Sequence, residues 1–90
     1  MQVTVNYLAI LSSVTGKDME QLELKKGTKI AELISILSQK YGPRFEDIVY
    51  MNASSRKYLV NFLLDNISVD DDYELEDGDE LKILLALGGG

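Results

Sequence analysis

The last ten residues, Leu81-Lys82-Ile83-Leu84-Leu85-Ala86-Leu87-Gly88-Gly89-Gly90, constrain the fold more than any other stretch of this chain. Leu81, Ile83, Leu85 and Leu87 share one face of an extended strand, while Leu84 and Ala86 make the other face partly apolar. A strand apolar on both faces needs cover on both, so Glu80 to Leu87 is predicted to run through the centre of a sheet or to be covered by a partner at its end. Three glycines follow it without a spacer. Having no side chains, they can enter a narrow cleft and carry a terminal carboxylate into it. Counted from Ala86, five extended residues reach roughly 17 Å, enough to cross a shell of a partner's structure. A frayed end is the plainer reading of any glycine tail. The direct junction with the best strand pattern in the chain favours a presented C-terminus.

Ninety residues build one domain with one small core. There is no cysteine and no histidine, which removes disulfides, the usual Cys/His zinc sites, thiolate and imidazole nucleophiles and any Ser-His-Asp relay. The chain is therefore not expected to be an enzyme on its own. A net charge of −6 argues against nucleic-acid binding, which depends on Lys and Arg at phosphates, and favours a basic partner. No apolar run approaches the ~20 residues of a membrane span. Tyr7 to Val14 is mildly apolar but has neither a basic residue before it nor a small-residue cleavage site after it, so no signal peptide is expected. The expectation is a cytoplasmic protein, monomeric when free. Neither G-x-G-x-x-G after a strand nor G-x-x-x-x-G-K-[ST] occurs, so no nucleotide or other cofactor is expected to be bound.

Along the chain, Val3, Val5 and Tyr7 alternate with Gln2, Thr4 and Asn6, the pattern of a half-buried strand. Leu8 to Lys17 loses that period and contains Ser12-Ser13 and Gly16, which reads as a loop or short turn. Glu20 to Lys25 resumes as a strand with Leu22 and Leu24 facing in, and the two strands are expected to pair antiparallel. Thr28 is a good N-cap for a helix from about Lys29 to Tyr41, whose stripe is Ile30, Leu33, Ile34, Leu37 and Tyr41. Gly42 and Pro43 end it. Over Arg44 to Lys57, Phe45, Ile48 and Val49 suit a second short helix, and Asn52-Ala53-Ser54-Ser55 suits a loop. Tyr58 to Leu64 is a strand, Asp65-Asn66 a turn, and Ile67-Ser68-Val69 a short return strand.

The acidic run from Asp70 to Glu80 invites a calcium reading. Starting an EF-hand loop at Asp72 puts Asp77 where glycine belongs and Ile83 where the bidentate Glu belongs, so the geometry fails and no metal site is expected. A solvated turn with Asp77-Gly78 delivering the chain into the last strand is the better reading. Leu63 and Leu84 exceed what one small core needs and suit a docking surface.

A strand pair, a capped helix, further strands, the Asp77-Gly78-Asp79-Glu80 turn and a terminal Gly89-Gly90 together resemble the ubiquitin-like beta-grasp sulfur carriers of the MoaD and ThiS type. The stretch Leu75-Glu76-Asp77-Gly78-Asp79-Glu80-Leu81 and the ending look most like the small subunit of molybdopterin synthase. The resemblance covers the whole chain in element order. It departs at Leu85-Ala86-Leu87, where relatives commonly carry prolines, and in having three glycines where most have two. It implies an α+β fold, a mixed sheet of four or five strands packed on one main helix, with residues 1–85 as the beta-grasp domain and 86–90 as a flexible tail. It also implies a function. A separate E1-like enzyme uses ATP to adenylate the Gly90 carboxylate, and sulfur then replaces AMP to give a thiocarboxylate. Leu87, Gly88 and Gly89 form the thin tail that enters the cleft of the large synthase subunit, where sulfur passes to a pterin precursor. A thiamine-pathway carrier and a ubiquitin-like modifier joined to target lysines through the same glycine remain the alternatives.

Overall fold

The computed structural model describes residues 1–50 and 58–86. The loop expected over Asn52-Ala53-Ser54-Ser55, the Arg56-Lys57 pair and the tail Leu87-Gly88-Gly89-Gly90 lie outside them. Among the described residues the order is β1 (Gln2–Tyr7), α1 (Ile10–Thr15), β2 (Met19–Glu23), α2 (Ile30–Tyr41), α3 (Pro43–Val49), β3 (Val60–Leu64), β4 (Ile67–Val69) and β5 (Glu80–Leu85). They form one mixed sheet in the order β2-β1-β5-β3-β4. The first two strands pair antiparallel, as their alternation predicts. β5 lies in the centre, parallel to β1 and antiparallel to β3, which is where a strand apolar on both faces belongs.

One face of the sheet carries the core. Val3, Val5 and Tyr7 of β1, Leu81 and Ile83 of β5, and Val60, Phe62 and Leu64 of β3 are buried, and Ile30, Leu33, Ile34 and Leu37 of α2 are buried with them. Each such side chain contributes about 1.5–3 kcal/mol by leaving water, so the 3.6-residue stripe on α2 meeting the two-residue period of three strands accounts for most of the drive to this architecture. Phe45 and Val49 bring α3 onto the same core. Leu22 is only half-buried and Leu24 is buried just past the end of β2.

Three local expectations shift. The stretch after β1, expected to be a loop, holds the six-residue helix α1. Leu11 and Thr15, one turn apart, are its buried face, and Gly16 closes it in the left-handed conformation with its amide on the Ser12 carbonyl. So short a helix shows no sequence period, and it forms because Leu11 is drawn into the core. The α2 N-cap is Lys29 instead of Thr28. The Thr28 hydroxyl donates to the Lys25 carbonyl at 2.6 Å, and the Glu32 carboxylate accepts from the Lys29 amide at 3.1 Å. Gly42 does stop α2, with φ 83°, but Pro43 opens α3 at its first position, where a missing amide hydrogen costs nothing.

Candidate functional site

The predicted site residues follow the end of β5, and the geometry of that end is that of a fixed root. Leu81 and Ile83 are fully buried, and Val60 pairs with Leu85 on the β3 side. The ladder continues one residue further, with the Ala86 amide donating to the Leu59 carbonyl at 2.9 Å. On the other side β1 runs out sooner: Tyr7 pairs with Ile83, and the Leu8 amide donates to the Ile83 carbonyl at 3.2 Å. β5 is thus held on both flanks as far as Ile83, and from there to Ala86 on the β3 side. The predicted site residues Gly90, Gly89, Gly88 and Leu87 follow directly, outside the described residues.

The opposite end of β5 explains the acidic run. The Asp77 carboxylate accepts from the Gln2 amide at 2.7 Å, and the Gly78 amide donates to the Gln2 carbonyl at 2.8 Å. The Asp79 carboxylate accepts from the Glu76 amide at 2.8 Å, and Glu80 accepts from the Asn6 side chain at 2.8 Å. Gly78 has φ 87°, a conformation that a side chain resists, so Asp77-Gly78 is the turn that aims β5. These acids are engaged in shaping the turn and registering β1. Among the described residues no group of His, Cys, Asp and Glu is placed to hold a metal ion.

The most perturbed charges lie elsewhere, around Glu20. Its carboxylate sits 7 % exposed and accepts from Lys40 at 2.8 Å and Lys17 at 3.4 Å. The hydroxyls of Tyr41, at 2.6 Å, and Tyr7 also donate to it. Burial alone pushes the carboxyl up. The hydrogen bonds from Lys40, Tyr41 and Tyr7 outweigh it and hold Glu20 down at about 2. The Tyr7 hydroxyl is pushed well above its ordinary range, first by burial and then by Glu20. A carboxylate held that low is a poor general base at neutral pH, and with four donors on two oxygens it has little capacity left for a substrate. The cluster is a structural tie between β1, β2 and α2. Sequence reasoning passed over it, although Glu20 shares the inward parity of Leu22 and Leu24, and a charge on an inward position was the available signal.

A mixed sheet in this order, crossed on one face by a main helix, defines the ubiquitin-like beta-grasp class. The model of the ThiS family matches residues 5–90, and the chain belongs to that family of small sulfur carriers. A search of curated proteins by sequence finds no match. Among solved structures the chain is similar to a putative molybdopterin converting factor, subunit 1, from Pyrococcus furiosus, at 27% identity over 94% of this chain and 97% of that one, with a TM-score of 0.79. It is similar to a chain of the Amycolatopsis orientalis BexX/CysO complex at 28% identity over 98% and 99%, with a TM-score of 0.67. It shares the fold of small archaeal modifier protein 1 from Methanosarcina acetivorans, at 22% identity over 99% and 96%, with a TM-score of 0.78. The Amycolatopsis relative is seen bound to a partner protein. No helix among the described residues is long and apolar enough to cross a membrane.

Proposed function

We propose that the chain is the sulfur-carrying small subunit of a molybdopterin synthase. An ionised carboxylate resists nucleophilic attack, so Gly90 must first be activated. The carboxylate attacks the α-phosphate of ATP and pyrophosphate leaves; a sulfur nucleophile then attacks the acyl carbon and AMP leaves. The thiocarboxylate so formed enters the large subunit and gives its sulfur to the pterin precursor. The adenylating enzyme and the large subunit supply the acids, bases and nucleotide site, and this chain supplies the carrier. Gly90 is the activated residue, and Leu87, Gly88 and Gly89 are the thin tail on a domain that ends near residue 85.

The observation that carries the reading is the junction of a centrally anchored β5 with a glycine tail, within a family match that runs to residue 90. The likeness to the Pyrococcus converting-factor subunit supports the molybdopterin pathway over the thiamine one. A second reading, a modifier conjugated to lysines, uses the same activated glycine and draws on the fold shared with the archaeal modifier protein.

The test is intact mass after incubation with ATP, a sulfur donor and the adenylating enzyme of the source organism. A gain equal to sulfur replacing oxygen, absent when Gly90 is removed, is expected. Gly89→Ala, or one residue added after Gly90, abolishes the gain while leaving the unfolding transition in place; either variant reacting at the wild-type rate sinks the scheme. Adducts on other proteins' lysines in place of a thiocarboxylate would make the chain a modifier.

A further inference from the structure

We propose that the open edge of β2 is a binding site for an extended segment of another protein, one that alternates apolar residues and then runs into acidic ones. The inference goes beyond the carrier reading and does not depend on it, since the tail takes no part.

β2 lies at the end of the sheet, with β1 as its only neighbour among the described residues. In an antiparallel pair, successive residues turn their main-chain groups alternately toward the neighbour and away from it. The Tyr7 amide donates to the Asp18 carbonyl at 2.8 Å, and Met1 and Leu24 exchange bonds in both directions at 2.8 Å. Asp18, Glu20, Leu22 and Leu24 therefore face β1, and the amides and carbonyls of Met19, Gln21 and Glu23 face the open edge. Such a row holds an added strand by its main chain, and neighbouring side chains select which strand is held.

The selecting side chains come from β2 and α2. The helix follows β2 after residues 24–29, and its last turn comes back to Glu20, where Lys40 binds the carboxylate at 2.8 Å, so α2 runs antiparallel to β2. Ile36 stands one helical turn before Lys40, roughly 5–6 Å back along α2, and Leu22 stands two residues after Glu20, about 7 Å along β2. The two are level with each other at the rim of the core. Ile36 is 44% exposed and Leu22 is half-buried. They form an apolar step beside the edge, which alternate side chains of an added strand can cover.

Charge selects the rest of the occupant. Residues 17–40 carry five of the nine Lys and Arg against four of the fifteen Asp and Glu, a net of +1 in a chain of net charge −6. Lys17 and Lys40 are engaged with Glu20, while Lys25 and Lys26 stand exposed just past the end of β2. An acidic segment is drawn to this edge and repelled from the acidic run between Asp65 and Glu80, whereas a basic segment is drawn to that run instead. A second copy of the chain brings its own excess of negative charge and fits less well.

The experiment is a titration of the isotope-labelled chain with the peptide acetyl-Val-Thr-Val-Thr-Val-Asp-Asp-amide, followed by amide chemical shifts. Saturable shifts of the Met19, Gln21 and Glu23 amides are expected, weakened by added salt. The counterpart ending in Lys-Lys is expected to bind at least about tenfold more weakly. Lys25→Glu combined with Lys26→Glu should weaken the acidic peptide about tenfold, and Ile36→Asp at least about fivefold. Gln21→Pro removes an amide that faces the edge and none that faces β1, so it should abolish the shifts. Its unfolding transition is measured alongside, and the lysine and Ile36 variants carry the test if it unfolds. Lys82→Glu lies on the opposite face of the sheet from buried Leu81 and Ile83, and it should leave binding unchanged, as should removal of Gly90. No saturable shift, equal affinity for the two peptides, or shifts centred away from β2 overturns the proposal. Self-association through β2 without any peptide would assign the edge to a second copy and overturn it as well.

Discussion

Two clusters of aromatic residues flank the sheet, and they are held by opposite means. In the first, Tyr7 and Tyr41 meet edge to face at 6.2 Å and turn both hydroxyls onto the nearly dry Glu20 carboxylate, which Lys40 and Lys17 also hold. In the second, Tyr58 lies between Tyr50, at 5.4 Å, and Phe62, at 5.0 Å, and one hydroxyl reaches Asp71 at 2.7 Å. The first cluster buries a charge and must satisfy it; the second buries rings and keeps its polar atoms near water. A charge taken out of water is stabilising only while all its partners are present, whereas ring packing loses energy in proportion to what is removed.

The largest expected effect tests the ring side. Phe62→Ala removes a buried ring from the sheet and from Tyr58, and a loss of about 3–5 kcal/mol in denaturant unfolding is expected. A loss much below that would mean the second cluster collapses around the gap and is less tightly packed than its distances imply.

Next comes Glu20. Glu20→Ala leaves the buried Tyr7 hydroxyl without its acceptor, and about 2 kcal/mol should be lost. The pH dependence is the sharper observation. Because folding lowers the Glu20 carboxyl from 4.5 to about 2, its stabilisation is fully present above pH 4.5 and lost as pH falls toward 2. The stability gap between wild type and Glu20→Gln should therefore be flat above that range and close below it. A gap that stays constant down to pH 2 would show that the carboxylate's charge contributes nothing.

Smaller effects separate the two clusters further. Tyr58→Phe keeps the ring stack and removes the part-buried hydrogen bond to Asp71, so about 1 kcal/mol or less is expected in denaturant unfolding. Ala9→Gly is expected to stabilise by roughly 0.5 kcal/mol, relief of the positive φ being partly offset by the freer unfolded chain. A destabilised glycine variant would mean that the alanine methyl makes a contact worth more than the strain.

Much of the fold was legible because it is written in local periods. The alternation of Val3, Val5 and Tyr7 and the stripe of Ile30, Leu33, Ile34 and Leu37 each identify an element without reference to the rest of the chain. The apolar run of β5 pointed to its central place, being a property of the strand itself, although only the face of Leu81 and Ile83 is buried. The helix over Phe45 and Val49 was visible for the same reason. α1 was not, because six residues hold less than two turns and Ser12-Ser13 with Gly16 carry the marks of a loop. Thr28 does not cap the helix because its hydroxyl has two local uses, accepting from an amide of the helix start or donating to the Lys25 carbonyl of the preceding turn, and sequence does not rank them. The glycines of the candidate site lie outside the described residues, and the turn beside the end of β5 was not legible in the sequence. The nearness of Leu8 to Ile83 depends on a parallel pairing across most of the chain's length.

By itself, then, the sequence determined the strand and helix periods, the lack of the cysteine and histidine that thiolate, imidazole and the usual Cys/His zinc chemistry need, and the run of three glycines, because each is a matter of which residues are present and how they are spaced. Only the tertiary structure decided which charges are buried and what stands beside the end of β5. The groups that satisfy Glu20 come from positions 7, 17, 40 and 41, and the surface around Ala86 from positions 8 and 59. Apart from Lys17, three residues from Glu20, those neighbours are joined by pairing and packing over longer separations, and no local pattern encodes them.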